Sequence, residues 1–565
     1  MITINVNTKS ETSRVRSHVC LFKSIKMFVE IAAQCIWGSI KDVYKIDLFN
    51  VYNLVVFIVV IGLVRLVQWV RYLRSLPPGP WGFPILGYLP FIKGDLHLQF
   101  GRLAAEYGSM FSAKLGSQLI VVLSDHRTIR ETFRREEFSG RPHTEFMNIL
   151  GGYGIVNTEG AMWKEQRKFL HEKLRYFGMT YMGNGRKSME TRIKREIETM
   201  IHTLSVKSGA PTDLSPTLSV SISNVICSII MGVRFQHGDA KFSRFMELIE
   251  EGFKLFGRMV PVNFIPLMRY LPGLCKVRDK LSRNRSEMAE FFQETVDEHR
   301  NTFDKENIRD IVDAYLVEIE KAQTEGRSAM LFQGKNHDRQ MHQILGDLFS
   351  AGMETVKTTL EWAVILMLHH PEAAKAVQEE LDHIVGRSRM PALEDLPYLP
   401  ITEATILEVM RRSSIVPLGT THATTRDVKF NGFTIPAGTQ VVPLLHAVHM
   451  DPNLWAEPED FRPARFLSAE GKVCKPEHFM PFGVGRRMCL GDVLARMELF
   501  LFFSSLLHTF DIKLPEGASL PSLRGNAGVT VTPDPFKVCL AQRHLDIPDF
   551  QHETVISPLR NIGSH

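Results

Sequence analysis

The sequence has few cysteines and little that would mark a disulfide-bonded, disordered or nucleic-acid-binding protein. Its 565 residues include seven cysteines, an odd number, with no CxxC pair and no cysteine–histidine spacing typical of a zinc site. The 39 glycines and 29 prolines are an ordinary share, which excludes collagen-like and low-complexity chains. The net charge of +5 is too dilute for nucleic-acid binding. A reduced globular chain remains, in which each cysteine is expected to be a small buried hydrophobe.

One long apolar run lies near the start of the chain. Leu48–Val70 contains 23 residues, which as a helix would be about 34 Å long and would cross a bilayer core of about 30 Å. A buried core helix is the alternative interpretation. The positive-inside rule favours a cytoplasmic C-terminal side, because Arg65 lies near the end of the run and Arg71 and Arg74 follow it, whereas only Lys41 and Lys45 closely precede it.

The regions around this run differ in composition. Leu21–Trp37 has apolar residues at the spacing of one helical face, which fits either an interfacial helix or part of an unstructured extension. Prolines follow the run and forbid further helix, whereas from Gly87 to Leu540 no linker, charge block or repeat marks a boundary. We therefore predict an extension over residues 1–45, a transmembrane anchor over 46–71, a proline-rich spacer over 72–90, one domain over 91–545 and a tail over 546–565.

The large domain is predicted to be mostly α with a small β portion. Met259–Leu271 is apolar and punctuated by prolines, so we expect a loop that lies either in the core or in the bilayer surface. Helical spacing predicts seven long helices, and short alternating segments predict three strands. The helices are Met189–Leu204, Asp239–Phe256, Asp279–Asn301, Ile308–Ala322, His342–His369, Pro371–Val385 and Asp492–Thr509; the strands are Leu119–Leu123, Phe430–Thr434 and Gln440–Leu444.

One cysteine departs from the buried-hydrophobe expectation. Cys489 follows a glycine-rich segment and precedes the helix predicted to begin at Asp492, whose amides can hydrogen-bond a thiolate. Glycines in the segment allow tight turns and close approach to a flat ligand, and Arg487 is placed to lower the thiol pKa and to reach an anionic group on that ligand. A thiolate without a second metal-binding cysteine or histidine nearby suits an axial iron ligand.

The decapeptide FGVGRRMCLG over residues 482–491 resembles F-x-x-G-x-R-x-C-x-G, the haem-binding signature of the cytochrome P-450 haem-thiolate monooxygenases. This resemblance implies the cytochrome P-450 fold, haem b with Cys489 as the axial ligand, and electrons from NADPH delivered by NADPH–cytochrome P-450 reductase. Cytochrome b5 is a further candidate partner. The resemblance also implies haem contacts from residues of the signature, namely Phe482, Gly485, Arg487 and Gly491.

A second motif resembles the E-x-x-R of the family. The pattern occurs six times in this chain, and most such pairs are exposed and contribute little stability. The copy at Glu408 and Arg411 is distinguished by its place 81 residues before Cys489, with PARF at residues 463–466, similar to the family's P-x-R-F, between them. The resemblance implies a buried network of Glu408, Arg411 and Arg465 that supports the thiolate loop.

The predicted helix His342–His369 contains AGMET at residues 351–355, which resembles the oxygen-activation motif of the family. The Thr355 hydroxyl is expected to bond the Ala351 carbonyl, Gly352 to leave a notch for dioxygen, and Glu354 to supply protons. Val356 stands where a second hydroxyl is common in the family. Trp163-x-x-x-Arg167 resembles the family's propionate-binding pair, and His422 and Arg487 stand at further propionate positions.

Longer strings indicate a substrate class. Residues 133–142, 175–185 and 411–418 are similar to the insect ecdysteroid 26-hydroxylases. This resemblance implies hydroxylation of a steroid side chain at C-26 and hormone inactivation, in the endoplasmic reticulum membrane with the catalytic domain cytoplasmic. It suggests substrate contacts from Phe349, Ala351, Val416, Leu418 and Val529, and an acidic reductase face opposite Arg486.

Other functions remain open at this point. The substrate of a microsomal monooxygenase could equally be another steroid, a fatty acid or a xenobiotic, because an apolar pocket does not distinguish them. A haem-thiolate isomerase or dehydratase would need neither dioxygen nor reductase, and Glu354 and Thr355 argue against it. A non-catalytic haem or steroid binder is the remaining class.

Overall fold

A computed structural model describes residues 48–236 and 238–546, and the chain divides into two units between Ser75 and Leu76. The predicted segment Leu21–Trp37 and the tail beyond residue 546 lie outside the described residues. In the first unit, helix α1 is Leu48–Ser75. Its part from Asn53 to Ser75 has a mean hydropathy of 2.2 and is long enough to span a membrane, and no apolar side chain of that part is buried in the protein.

The exposure of α1 rules out a buried core helix for this segment. The helix also continues four residues beyond the predicted end of the anchor at residue 71. The reason is local: Tyr72 and Leu73 are compatible with a helix, and the first residues that stop it are Pro77 and Pro78.

The second unit is mostly helical, as the sequence predicted. After α1 its helices are α2 Leu96–Tyr107, α3 His126–Arg134, α4 Glu145–Leu150, α5 Gly160–Tyr176, α6 Asn184–Ser205, α7 Ser215–Ile230, α8 Ala240–Phe264, α9 Pro272–Asn301, α10 Ile311–Thr324, α11 Ser328–Phe332, α12 His337–His369, α13 Pro371–Ile384, α14 Pro400–Ser413, α15 Leu445–His449 and α16 Asp492–Thr509. All seven predicted helices are present, and α16 has the predicted bounds.

Helix α8 contradicts the predicted loop at Met259–Leu271. The helix runs through Pro261 to Phe264, and a 3-10 turn, Pro266–Tyr270, follows it. Met259 and Val262 are buried, so packing favours helix although Pro261 provides no amide hydrogen. Leu267 and Tyr270 are exposed, Leu267 at 77% of its surface, whereas Phe264 and Met268 are half-buried.

The strands form one four-stranded sheet and three two-stranded ones. They are β1 Met110–Leu115, β2 Gln118–Leu123, β3 His422–Ala423, β4 Val428–Phe430, β5 Phe433–Ile435, β6 Gln440–Pro443, β7 Phe510–Lys513, β8 Asn526–Ala527, β9 Val531–Thr532 and β10 Cys539–Gln542. The larger sheet has the order β1-β2-β6-β3, with β2 parallel to β6 and the other pairs antiparallel.

The predicted strand Phe430–Thr434 is wrong as a single element. It is a hairpin, in which Phe430 at the end of β4 pairs with Phe433 at the start of β5. Asn431 and Gly432 have positive φ angles of 47° and 81°, the combination that a two-residue type I′ turn requires.

The core of the unit is built around α12. This helix packs most extensively against α7, whose residues from Thr217 to Ile230 are nearly all buried, and it also contacts α16, α9 and α14. Burying apolar side chains on all sides of α12 and α7 is what fixes these long helices in the interior. Their crossing forms one wall of the cavity described next.

Candidate active site

A largely enclosed cavity lies between α12, α7, α5, the start of α16 and the loop that precedes α16. Cys489 faces this cavity from the loop. Its backbone amide donates to the Phe482 carbonyl oxygen over 2.9 Å, which closes the loop around the sulfur. Burial raises the pKa of the Cys489 thiol, whereas the Gly491 amide, Arg167 and Arg496 act in the opposite direction.

The structure therefore corrects the source of the positive charge near Cys489. The sequence suggested Arg487, but the Arg487 guanidinium lies 3.9 Å from the centre of the Trp163 ring and donates to the carbonyls of Ser139 and Thr158. These contacts hold the Arg487 guanidinium beside Trp163, and the charges that lower the pKa of the Cys489 thiol come from Arg167 and Arg496. Arg167, from α5, takes the place next to the loop and donates to the Met488 carbonyl over 2.5 Å.

Gly485 is required by a close approach within the loop. It has a φ of 81°, and a Cβ at this position would lie 2.2 Å from the Phe133 carbonyl oxygen of α3. Gly483 also has a positive φ, 68°, but faces open space. Gly491 has an ordinary φ, and a Cβ at this position would face open space. The guanidinium of Arg496 lies over the Phe482 ring, 4.6 Å from its centre.

Three guanidinium groups meet at one side of the cavity. Arg141, Arg167 and Arg487 all line it, and Glu159 is the acidic residue that balances them in part. Burial, then repulsion from Arg141 and Arg167, lowers the pKa of Arg487 to about 8. The buried Nη1 of Arg487 has no hydrogen-bond partner among the described residues. The repulsion among these three cations is balanced only when anionic groups bind beside them.

His422 lies beside this cluster at the edge of β3. Its Nδ1 is 2.8 Å from the Phe138 carbonyl, so Nδ1 carries the hydrogen, and its ring lies against Phe133 at 4.0 Å. Burial and the charge of Arg141 lower the pKa of His422 to about 3, which leaves Nε2 as an acceptor. Nε2 of the neutral ring has no hydrogen to donate. It could therefore donate a hydrogen bond to a carboxylate only after the ring is protonated.

Together these features fit haem. A thiol faces a largely apolar cavity, and three guanidinium groups and the indole of Trp163 in its wall offer donors for two carboxylates. Trp163 and Arg167 stand one turn apart on α5, as their sequence spacing predicted. The orphaned Nη1 of Arg487 is the observation that most directly indicates an anionic ligand.

The glutamate–arginine network is present behind the loop. Arg411 forms a bidentate pair with Glu408 at 2.7 and 2.8 Å, and both side chains are fully buried. Arg465 donates to the same carboxylate over 3.2 Å, and the Arg462 backbone amide does so over 2.8 Å. Arg411 also donates to the His449 carbonyl, so the network joins α14 to the segment that leads to the thiolate loop.

The AGMET segment forms part of the cavity wall. Thr355 Oγ1 donates to the Ala351 carbonyl over 2.8 Å, which confirms the predicted hydrogen bond. The predicted notch stays a prediction: Gly352 lines the cavity, and a Cβ there would lie 2.7 Å from Cδ1 of Ile226 on α7. Gly352 thus allows α7 to approach α12. The Glu354 carboxyl does not line the cavity and accepts a hydrogen bond from Thr530 instead.

Of the suggested substrate contacts, Ala351 and Val416 line the cavity and three other residues do not. Phe349 is buried on the opposite face of α12, 4.8 Å from the Phe245 ring. Leu418 packs beside the four-stranded sheet, and Val529 is 43% exposed at the β8–β9 turn. The resemblance to the family suggested these positions individually. Which side chains point into the cavity depends on helical phase and loop packing, which the resemblance does not show.

Other wall residues were missed from the sequence. Leu348 and Thr359 share one face of α12 with the predicted Ala351 and Thr355, and an i, i+3, i+4 pattern through Ala351 would have found them. Glu498, on α16, had no sequence signal: it is buried at the cavity, and neither carboxyl oxygen has a hydrogen-bond partner among the described residues. Burial raises the pKa of Glu498 well above its usual range.

Comparison with known proteins identifies the family. Residues 77–540 match the family model described as Cytochrome P450. Cytochrome P450 18a1 of Drosophila melanogaster is 59% identical over 493 residues, which is 87% of this chain and 90% of that protein. Cytochrome P450 2D6 of Homo sapiens is 37% identical over 479 residues, 83% of this chain and 93% of its own. Matched over nearly its whole second unit, the chain belongs to the cytochrome P450 family of haem monooxygenases.

Proposed function

We propose that this haem monooxygenase hydroxylates the side chain of ecdysteroids at C-26 and thereby inactivates the hormone. The overall reaction is R–H + O2 + NADPH + H+ → R–OH + H2O + NADP+, in which the steroid carbon and NADPH are oxidised and dioxygen is reduced. The family uses haem b, and electrons reach it from NADPH through the reductase. The identity of the substrate is the part of this statement that needs a test.

One observation carries the choice of substrate. The three strings that resemble insect ecdysteroid 26-hydroxylases, at residues 133–142, 175–185 and 411–418, all contribute side chains to the cavity. They supply Phe133 and Arg141, then Met179, then Ile415 and Val416. Resemblance concentrated at the cavity wall favours a shared ligand more than resemblance in the distant core would.

The shape and polarity of the cavity agree with this substrate. Apolar side chains from α7 and α12 offer a surface for the steroid body, among them Ile226, Ile229 and Leu348. Hydroxyl groups such as those of Thr359 and Ser414 also line the cavity and could receive the polar groups of an ecdysteroid. The largely enclosed site excludes water and places one C–H group near the reacting centre.

The residues of the site have distinct proposed roles. Cys489 would be the axial ligand of the haem iron, and Trp163, Arg141, Arg167, Arg487 and a protonated His422 would hold the propionates; Phe482, Gly485 and Gly491 would shape the loop below the ring. When bound, haem supplies the activation of dioxygen. Thr355 and Glu354 would hold and transfer protons on the α12 side. Glu408, Arg411 and Arg465 would keep the thiolate loop in place.

The cellular location and the redox partners are also part of the proposal. One membrane-length helix within the described residues suggests anchoring in the endoplasmic reticulum membrane, with the catalytic domain on the cytoplasmic side. Arg486 is exposed next to the thiolate loop and donates to the Arg134 carbonyl, where an acidic reductase face could dock. Cytochrome b5 would compete for the same basic surface.

Product analysis tests the substrate assignment. The full-length protein, reconstituted in phospholipid vesicles with reductase and NADPH, should convert an ecdysteroid to a product one oxygen heavier, with the new hydroxyl at C-26. Val416→Phe should reduce this product while leaving the haem spectrum unchanged, because it fills the cavity; Val206→Phe, at an exposed position, is the matched control. Absence of side-chain oxidation, with turnover of a fatty acid or another steroid instead, would overturn the assignment.

A further inference from the structure

The strongest unassigned feature is the contact between Glu354 on α12 and the β8–β9 hairpin. Thr530 Oγ1 donates to Glu354 Oε1 over 3.1 Å, and Thr358 Oγ1 lies 3.4 Å from the same oxygen. Thr530 is 5% exposed. Oε2 of Glu354 receives no hydrogen bond from any residue that the structure describes. One carboxyl oxygen is thus held and the other is free to take or give a proton.

The hairpin is fixed to the body of the domain at Val531, the residue that follows Thr530. The Val531 amide donates to the Ile415 carbonyl over 2.8 Å, and the Trp362 indole donates to the Val531 carbonyl over 2.8 Å. Within the turn, the Gly528 amide donates to the Thr530 carbonyl over 3.0 Å. These bonds fix the position of the Thr530 hydroxyl, so the hydroxyl can orient the Glu354 carboxyl.

The same contacts connect this carboxyl to the substrate side of the cavity. Ile415 lines the cavity, and its carbonyl holds Val531, the neighbour of Thr530. The Thr355 hydroxyl is already committed to the Ala351 carbonyl. Proton supply on this side of α12 therefore depends on where the Glu354 carboxyl is held, and the hairpin determines that.

We infer that Thr530 is a positioning residue for proton delivery: its hydroxyl holds the Glu354 carboxyl against α12 and so aligns it with the proton path to the oxygen-binding side of the cavity. The inference rests on the role proposed above for Glu354. Poor alignment would divert electrons to the side reaction NADPH + O2 + H+ → NADP+ + H2O2.

The neighbours of Glu354 determine how its pKa should respond to the loss of the Thr530 hydroxyl. Burial raises the pKa of Glu354, Lys357 on α12 lowers it, Thr530 lowers it by its hydrogen bond, and Glu250 on α8 raises it. Glu361, one turn beyond Lys357, shares that cation at 4.0 Å. Loss of the Thr530 hydroxyl should therefore raise the pKa of Glu354 further.

The test uses full-length, haem-loaded protein and compares Thr530→Val with Thr530→Ser. The matched control is Thr532→Val, in the same hairpin. Infrared difference spectra against Glu354→Gln identify the Glu354 carboxyl band and follow it with pH. The second readout is hydrogen peroxide released per NADPH consumed by the protein reconstituted with reductase. Neither readout needs an ecdysteroid, so failure of the substrate assignment does not affect the test.

The expected result is specific to Thr530→Val. Its Glu354 band should titrate at higher pH, and its peroxide yield should rise about fivefold, the factor that one net hydrogen bond typically gives. Thr530→Ser and Thr532→Val should match wild type in both readouts. A Thr530→Val protein with the wild-type band or the wild-type peroxide yield overturns the inference. A Glu354→Gln protein with the wild-type peroxide yield overturns the proposed role of Glu354 itself, and the inference with it.

Discussion

At the residue scale, the surroundings of Arg487 indicate that the site binds an anionic group. Its guanidinium is buried against an indole and two carbonyls, close to two other guanidinium groups, and its Nη1 has no partner among the described residues. In water this charge would be solvated, so the arrangement costs stability until an anion joins it. The adjacent Arg486 is exposed and serves as a natural comparison.

Arg487→Met should therefore release haem much faster than wild type. Loss of one charge-assisted hydrogen bond to a propionate predicts a rise of at least about tenfold in the dissociation rate. Transfer of haem to excess apomyoglobin, followed by absorbance, measures it. Arg486→Met should keep the wild-type rate. Equal rates for Arg487→Met and wild type would contradict the placement of a propionate at Nη1.

The buried network gives a second prediction at the residue scale. Glu408→Gln leaves Arg411 and Arg465 without their counter-charge and should cost about 3–5 kcal/mol of unfolding free energy. Denaturant unfolding followed by circular dichroism measures this loss. Glu172→Gln removes the exposed carboxylate of another E-x-x-R copy and should leave stability unchanged. A Glu408→Gln protein as stable as the Glu172→Gln protein would show that the network is dispensable.

At the element scale, the thiolate loop depends on its approach to α3. Gly485→Ala places a Cβ against a backbone carbonyl at a positive φ, so the loop must shift and haem-loaded protein should fall to a small fraction of the wild-type yield. Gly483→Ala has the same kind of φ but open space, and should cost only about 1 kcal/mol. Haem content per purified protein measures both. Equal haem content in the two variants would contradict the close-contact argument.

A buried ion pair joins helices α9 and α10. His299 Nε2 is 2.7 Å from Asp310 and its Nδ1 is 2.7 Å from the Thr295 carbonyl, so both nitrogens donate and the ring is protonated. Burial alone would lower the pKa of His299, but the hydrogen bond and charge of Asp310 outweigh it and raise the pKa. Asp313 lies in the same buried group but is paired with Arg309.

The stability from this pair should depend on pH in a defined direction. A raised pKa in the folded state means that the contribution is complete below the unfolded pKa of about 6.5 and is lost as pH rises through the raised value. The stability advantage of wild type over His299→Gln should therefore shrink as the pH rises above about 6.5. Denaturant unfolding at several pH values measures it. An advantage that grows over this range would contradict the protonated ring.

The element scale also shows what the sequence could and could not predict. Periodicity located α12 and α16 because their apolar spacing persists over many turns. It missed the Asn431–Gly432 turn inside a predicted strand and the continuation of α8 through Pro261, since a turn and a buried proline depend on one or two residues and on their partners. The placement of Phe349 failed for a related reason, because a shift of two residues along a helix is a rotation of about 200° and moves a side chain to the opposite face.

At the scale of the whole molecule, motif order predicted more than composition did. The composition is that of an ordinary globular chain, whereas the motifs predicted the haem domain that forms the second unit. The motifs lie far apart in the sequence and meet around one cavity: α5 supplies Trp163, α12 supplies Thr355 and the loop before α16 supplies Cys489. What the motifs did not indicate, such as the place of Arg141 in the guanidinium cluster and the buried Glu498, arises only when distant segments fold together.

The carbon monoxide difference spectrum of the reduced full-length protein tests the central claim most directly. If Cys489 is the axial ligand, wild type shows the red-shifted thiolate band and Cys489→Ala does not, while Cys474→Ala, at an exposed cysteine outside the cavity, keeps it. Circular dichroism confirms that all three proteins are folded. A thiolate band that persists in Cys489→Ala would contradict the assignment of Cys489 as the ligand of a haem-thiolate monooxygenase.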